Sequence, residues 1–304
     1  MKLHRLAPVF MALLAAAPLQ AQEETPNHVF QSADMIHQEL LLLNEANFSE
    51  APTQQLPRIQ ALPRHVFQRA RIIWAKVQLL RFMNGLPTRS IDPLPVRDVQ
   101  PADVKGIVDS ILADIRELRP AYSITQDVAE TTLPQGKTPT DVLAHLAMID
   151  REIDALGVPG IVPNDVYQVA ATLVRDLETV TEHMDVSVDL NAIEPVLGKS
   201  PADAYNNAYA LLADLQALST ADQRFSVTGG IEPPQQKSSD ITPSDVIFLL
   251  GRGLADVGAV KYATGVTTVT VDVPLEGGKT PSDVFHVIEQ ARGLVAALSA
   301  SSNG

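Results

Sequence analysis

Three tripeptides, Gly136-Lys137-Thr138, Gly198-Lys199-Ser200 and Gly278-Lys279-Thr280, carry the residue types of a phosphate-binding loop. That chemistry also needs a glycine five residues before the loop's second glycine, so that backbone N–H groups can wrap the phosphates. Thr131, Ile193 and Val273 stand there instead, and Pro139, Pro201 and Pro281 remove a backbone donor directly after each tripeptide. The tripeptides read as helix caps.

Histidine and carboxylate chemistry is equally thin. His28 and His65 occupy the same place in two helix-start motifs and would come together if those helices began side by side. Zinc asks for more ligands, and His37, nine residues on, lies about 13 Å along the helix. These two read as surface histidines tolerated at helix starts, and His145, His183 and His286 fall in no ligand spacing. Asp150, Glu152 and Asp154, each two residues from the next, spread around a helix and read as a solvated face. There is no Gly-x-Ser-x-Gly elbow, no His-Glu-x-x-His pair, no calcium loop and no cysteine. The sequence therefore supports no catalytic, metal or cofactor-binding residue, and it reads as a non-enzyme.

One segment stands apart. From Arg58 to Arg97 eight basic residues face a single acid, Asp92, and the chain's only tryptophan lies among them. Phe67, Arg71, Trp74, Gln78 and Arg81 are spaced four, three, four and three, which makes a stripe along one helix. Arginine beside tryptophan is typical of surfaces that grip a protein or an anion, so these five residues are the candidate partner-binding site. The competing reading has Phe67 and Trp74 widening the core while the arginines pair with acids of the second half.

The elements that position these residues are announced by a recurring helix start, Pro-x-Asp-Val. Intact or degraded, it opens at Pro26, Pro63, Pro101, Pro139, Pro163, Pro201, Pro243 and Pro281. Thr or Ser ahead of the proline can cap the helix, proline at the first position gives up an N–H that had no partner, and Asp at the third faces the positive helix end. From the motif valine, apolar residues recur at alternating four and three, as in Val104, Val108, Ile111, Ile115 and Leu118. This predicts eight heptad-patterned helices of about eighteen residues whose seams bury one another in bundles.

The starts lie 37, 38, 38, 24, 38, 42 and 38 residues apart, and the short step divides two sets of four that align copy by copy. A tandem duplication of a four-helix unit accounts for this. The expected fold is all-α, with long, partly extended connections that include short strands. Within each set the connections are long enough to return to the starting end, which predicts parallel helices; the competing topology is an up-and-down bundle with overlong loops. Gly157 to Ile161 is too short to return, so the second set should run inverted. The repeat does not match tetratricopeptide or ankyrin signatures.

The ends suggest a destination. A basic start, an apolar stretch from Leu6 to Leu19 and Leu19-Gln20-Ala21 read as a secretory signal cut after Ala21. The expected organisation is a signal peptide over 1–21, a first unit over 22–161 and a second over 162–304 with a short disordered tail, in a periplasmic or secreted protein without a transmembrane anchor. Loss of Lys2 and Arg5 from 23 basic and 36 acidic residues leaves a formal charge of −15. Such acidity excludes nucleic acid as the partner. Two roles remain: a scaffold binding an envelope or secreted protein, or a bundle receiving a small anionic or apolar ligand.

Overall fold

A computed structural model describes residues 23–50, 58–93 and 95–301. The stretch read as a signal peptide and the last three residues lie outside them. Among the described residues the protein is all-helical, with eight α-helices, three short 3₁₀ turns and no strand. The helices are α1 (Pro26–Ala46), α2 (Pro63–Met83), α3 (Pro101–Arg116), α4 (Pro139–Ala155), α5 (Pro163–His183), α6 (Pro201–Ala221), α7 (Pro243–Thr264) and α8 (Pro281–Ser301). Each begins at a motif proline. Most run to 21 residues, longer than the expected eighteen, because the seam continues into a last turn. The expected short strands do not form: Val266 to Val271 and Met184 to Val188 run without strand pairing, since each lies along helices that offer no sheet edge.

What holds the helix starts is more uniform than the N-cap residues suggest. In every helix the third-position side chain accepts a hydrogen bond from the N-cap backbone N–H. Asp103, Asp141, Asp165, Asp203, Asp245 and Asp283 do so through a carboxylate oxygen. His28 and His65 do so through Nδ1, at 3.1 Å from the N–H of Thr25 and Leu62. Histidine thus replaces aspartate because its ring nitrogen is an acceptor of similar reach. This bond survives where the cap has become Leu62, Gln100 or Val162.

The first four helices are parallel. Pro26, Pro63, Pro101 and Pro139, with the motif valines Val29, Val66, Val104 and Val142, ring one void of about 10 Å³, so all four start at the same end. α3 and α4 each pack against both α1 and α2, which therefore sit on a diagonal. The next four repeat the plan, α7 and α8 each packing on α5 and α6. Their starts also converge: Lys199 N–H donates to Ser282 Oγ, Lys279 N–H to Asn164 Oδ1, and Lys237 N–H to Tyr205 Oη. Each set closes over its own apolar core, one centred on Ile36, Ile73, Ile111 and Ile149, the other on Leu173, Leu211, Val257 and Ile288.

Between the sets, α2 packs on α7 in the opposite direction. Arg64, at the start of α2, meets Asp256 late in α7, while Ile72 meets Gly251. A Cβ at Gly251 would lie 3.0 Å from Ile72 Cδ1, so glycine is what allows the close approach there. Among the described residues no helix is long and apolar enough to cross a membrane.

Candidate functional site

The return segments bind to the bundles through the same contacts in both sets. Gln31 and Gln168, each five residues past a helix-start proline, donate to the carbonyls of Thr131 and Val273, each eight residues before the helix-start proline that follows, Pro139 or Pro281. Lys137 and Lys279 lie 3.9 Å over the rings of Phe30 and Tyr167, and Lys199 lies 4.3 Å over Phe285. Gly136, Gly198 and Gly278 adopt φ of 71°, 77° and 78°, which turns the chain into the helix and favours glycine. The Gly-Lys-Thr resemblance to a phosphate loop thus has a local account: turn, cation–π contact, cap.

A second regularity escapes the apolar pattern. Thirteen residues after each proline stand Glu39, Lys76, Asp114, Glu152, Asp176, Asp214, Asp256 and Leu294, seven of them ionisable. All but Asp214 and Leu294 are buried polar residues. Eighteen residues after the proline, α2 and α7 carry Arg81 and Lys261, and the 3₁₀ turn that follows α3 opens on Arg119. In parallel helices these bases sit about 7.5 Å farther along the axis, and side chains lean back toward the N-terminus. Each base reaches the acid of the adjoining helix: Arg81 to Asp114 at 3.2 Å, Arg119 to Glu39 at 2.7 Å, Lys261 to Asp176 at 2.7 Å. Asn44 extends the series on α1, donating to the Glu152 carbonyl.

At α6 the base is missing. Ser219 holds that position and cannot neutralise Asp256 of α7. Asp256 is fully buried and is met instead from the first set, by Arg64 Nε at 2.7 Å and His65 Nε2 at 2.9 Å. The guanidinium also donates to the carbonyls of Thr228 and Gly230. His65 therefore lies inside the seam, contrary to the expectation of a surface residue. Its Nδ1 accepts from Leu62 and its Nε2–H donates to Asp256, so the ring is neutral, and burial pushes its pKa down. Despite its burial, Asp256 is held below the usual carboxylate range by His65 and Arg64.

The acids of α4 are also corrected. Asp150 and Glu152 are buried, because the parallel packing turns that face toward α2 and α1. Asp150 takes Arg69 at 2.6 Å and Lys76 at 2.7 Å. Glu152 takes His37 Nδ1 at 2.6 Å, and that hydrogen bond raises the His37 pKa. His145, stacked on Phe30 at 4.6 Å, is pushed down to about 4 by burial. No group of three or more metal-ligating side chains forms among the described residues.

The His145 shift has a sign. Its folded pKa lies below 6.5, so the unfolded chain binds the extra proton between about 4 and 6.5; the contribution is whole above 6.5 and is lost as pH falls. His65 acts in the same direction and His37 in the opposite one. Lowering the pH from 7 to 4.5 should cost about 2 kcal/mol through His145 alone. Urea unfolding of wild type and His145→Phe at both pH values checks this; an equal pH effect in both proteins would refute it.

The five stripe residues divide. Gln78 and Arg81 are buried inside the first set, Gln78 donating to Asp114 at 2.6 Å and Arg81 pairing with Asp114 and Glu117. They support α2 from within. Phe67, Arg71 and Trp74 are partly exposed. Phe67 and Arg71 line a cavity of about 70 Å³ on one side of the seam. Arg71 and Trp74 line another of about 200 Å³ on the other side, walled by Ala75, Leu79, Ile91, Ile161 and Val169. Arg71 spans the seam to Asp272 at 2.7 Å. Of the basic segment, Arg64 and Arg71 pair with the second half, whereas Arg58, Arg69, Lys76, Arg81, Arg89 and Arg97 pair within the first.

Beyond Trp74 the outer face of α2 stays apolar. Ala75, Leu79, Phe82 and Met83 follow one another at helical spacing, with Phe82 69 % exposed. A further concavity of about 470 Å³ lies on the flank, lined by Tyr205, Phe248, Arg252, Arg58 and Lys237. Compared with protein-family models, curated proteins and solved structures, the chain matches none.

Proposed function

We propose that the chain is an exported, periplasmic or secreted scaffold, its signal cut after Ala21, which binds another envelope or secreted protein without catalysing a reaction. The observation that carries this reading is the apolar outer face of α2, from Trp74 through Leu79 to Phe82 and Met83, opening from the 200 Å³ groove at the seam. Exposed aromatic and aliphatic side chains arranged along one helix are what a partner's apolar helix face packs against. Arg71 and Asp272 form the polar rim. Two units, 22–161 and 162–304, arose in this reading by tandem duplication; the paired Gln31/Gln168 and Lys137/Lys279 contacts and the shared helix order support it.

A second reading rests on the 470 Å³ cleft, where Arg252 and Lys237 flank Tyr205 and Phe248: a small anionic, partly apolar ligand held between the sets. The bundle interiors, filled by the two apolar cores, do not support a ligand there.

The test is affinity capture from the host envelope with wild type, Trp74→Ala/Leu79→Glu and, as a control, Leu197→Glu at a distant exposed site. The α2 variant should lose at least about tenfold of its partner, more than 1.4 kcal/mol, while its melting temperature changes little. Equal capture by all three proteins would remove α2 as the contact. A bound small mass in native mass spectrometry, without a protein partner, would favour the cleft.

A further inference from the structure

Arg252 is buried to 6 % exposure, and no carboxylate pairs with it. Its Nη1 donates to the Gln60 carbonyl at 2.8 Å and its Nη2 to the Glu232 carbonyl at 2.9 Å, while Nε has no partner. On α2, Arg69 gives Nη2 to Asp150, and its Nε is likewise buried and unpartnered. Both side chains line one void of about 10 Å³, together with Ile72, Leu143 and Phe248. Two arginines that line the same small space thus each keep a buried Nε–H that no protein group accepts.

The charge around it is also incomplete. Among the described residues no carboxylate lies in ion-pair contact with Arg252: Asp256 is taken up by Arg64 and His65, and Glu232 offers it only a backbone carbonyl. A buried cation without a counter-charge is costly. The void has room for one atom-sized guest of roughly water's dimensions, which rules out sulfate, phosphate and organic acids. Among the lining side chains no acceptor is free, since His65 Nδ1 is taken by Leu62. A water there could accept from both arginines and donate to neither wall. A monatomic anion needs only donors and supplies the contact counter-charge that Arg252 lacks.

We infer that the void between Arg69 and Arg252 is a binding site for a single chloride-sized anion, locked into the seam between the two helix sets. Its position makes the anion a structural element, since α2, α4 and α7 all close around it.

Diffraction from wild-type crystals grown in bromide tests this without a variant. An anomalous peak within hydrogen-bonding reach of both Nε atoms is the expected result; an ordered water with no anomalous signal at that point overturns it. In solution, replacing gluconate by chloride at fixed ionic strength should raise the melting temperature saturably by a few degrees, an effect absent in Arg252→Met. A melting temperature indifferent to chloride in wild type would also overturn it.

Discussion

Replacing Asp256 by alanine is expected to destabilise the protein by about 3–5 kcal/mol, the cost of stranding a buried cation. The loss is large because the carboxylate answers to two groups at once. Arg64 would keep only the carbonyls of Thr228 and Gly230, and His65 would lose the acceptor of its Nε2–H. Arg252, one turn before Asp256, would then face a second uncompensated guanidinium. Urea unfolding of Asp256→Ala, Arg64→Ala and the double variant gives the coupling directly. The double variant should lose less than the sum of the singles, because Arg64 is removed together with the carboxylate that it would otherwise lack. Additive losses would mean that the pair does not hold the seam.

The second large effect concerns the ladder inside one set. Lys261→Met should cost a similar 3–5 kcal/mol by leaving Asp176 buried with only the Thr270 hydroxyl. Adding Asp176→Leu should restore most of that, since an apolar pair of similar volume has no charge to desolvate. The recovery distinguishes an electrostatic penalty from simple loss of packing: if the double variant is less stable than Lys261→Met alone, the leucine cannot occupy the site and the ladder sets the helix spacing itself. Thermal or urea denaturation of the three proteins reads out either result.

Much of the architecture was legible in the chain. Proline, the third-position acid and the heptad seam are local signals, and each reports a helix start or a buried face without reference to the rest of the molecule. Connection length favoured the parallel course, since a span of sixteen or more residues can return along a helix and Gly157 to Ile161 cannot, but an up-and-down bundle with overlong loops also fitted the chain, and the shared helix starts decide between them. The ionic ladder was not legible by the same logic, although Glu39, Asp114, Asp176 and Asp256 stand at one fixed distance from their prolines. Hydropathy assigns such residues to solvent, and only the packing of a parallel neighbour, with a base one turn and a half farther on, makes their burial tolerable. The same blindness placed Asp150, Glu152 and His65 on the surface.

At the candidate site the division is similar. Trp74 and Arg71 stood out by composition and do reach the surface, whereas Gln78 and Arg81, equally in register, turn inward because the stripe is wide enough to curve into the core. The exposed run of Leu79, Phe82 and Met83 had no sequence signal separate from the seam beside it. Arg252 carried none at all, falling outside the fixed spacing that Asp256 and Lys261 follow on the same helix, and its role follows only from what surrounds it.

The diagonal placement of successive helices also governs how the chain must find its fold. In an up-and-down bundle each helix first meets its immediate successor across a short turn. Here α1 is ordered by α3 and α4, and α5 by α7 and α8. The ion pair of Glu39 with Arg119 closes a loop of 80 residues, that of Asp176 with Lys261 one of 85, and the seam at Asp256 joins residues 192 apart. Loop-closure entropy is lost before such contacts can repay it, and folding rates fall as the mean separation of contacting residues grows. Built of helices alone, this protein still depends on contacts between residues far apart in sequence, and its folding clock is set by topology rather than by the speed at which its helices form.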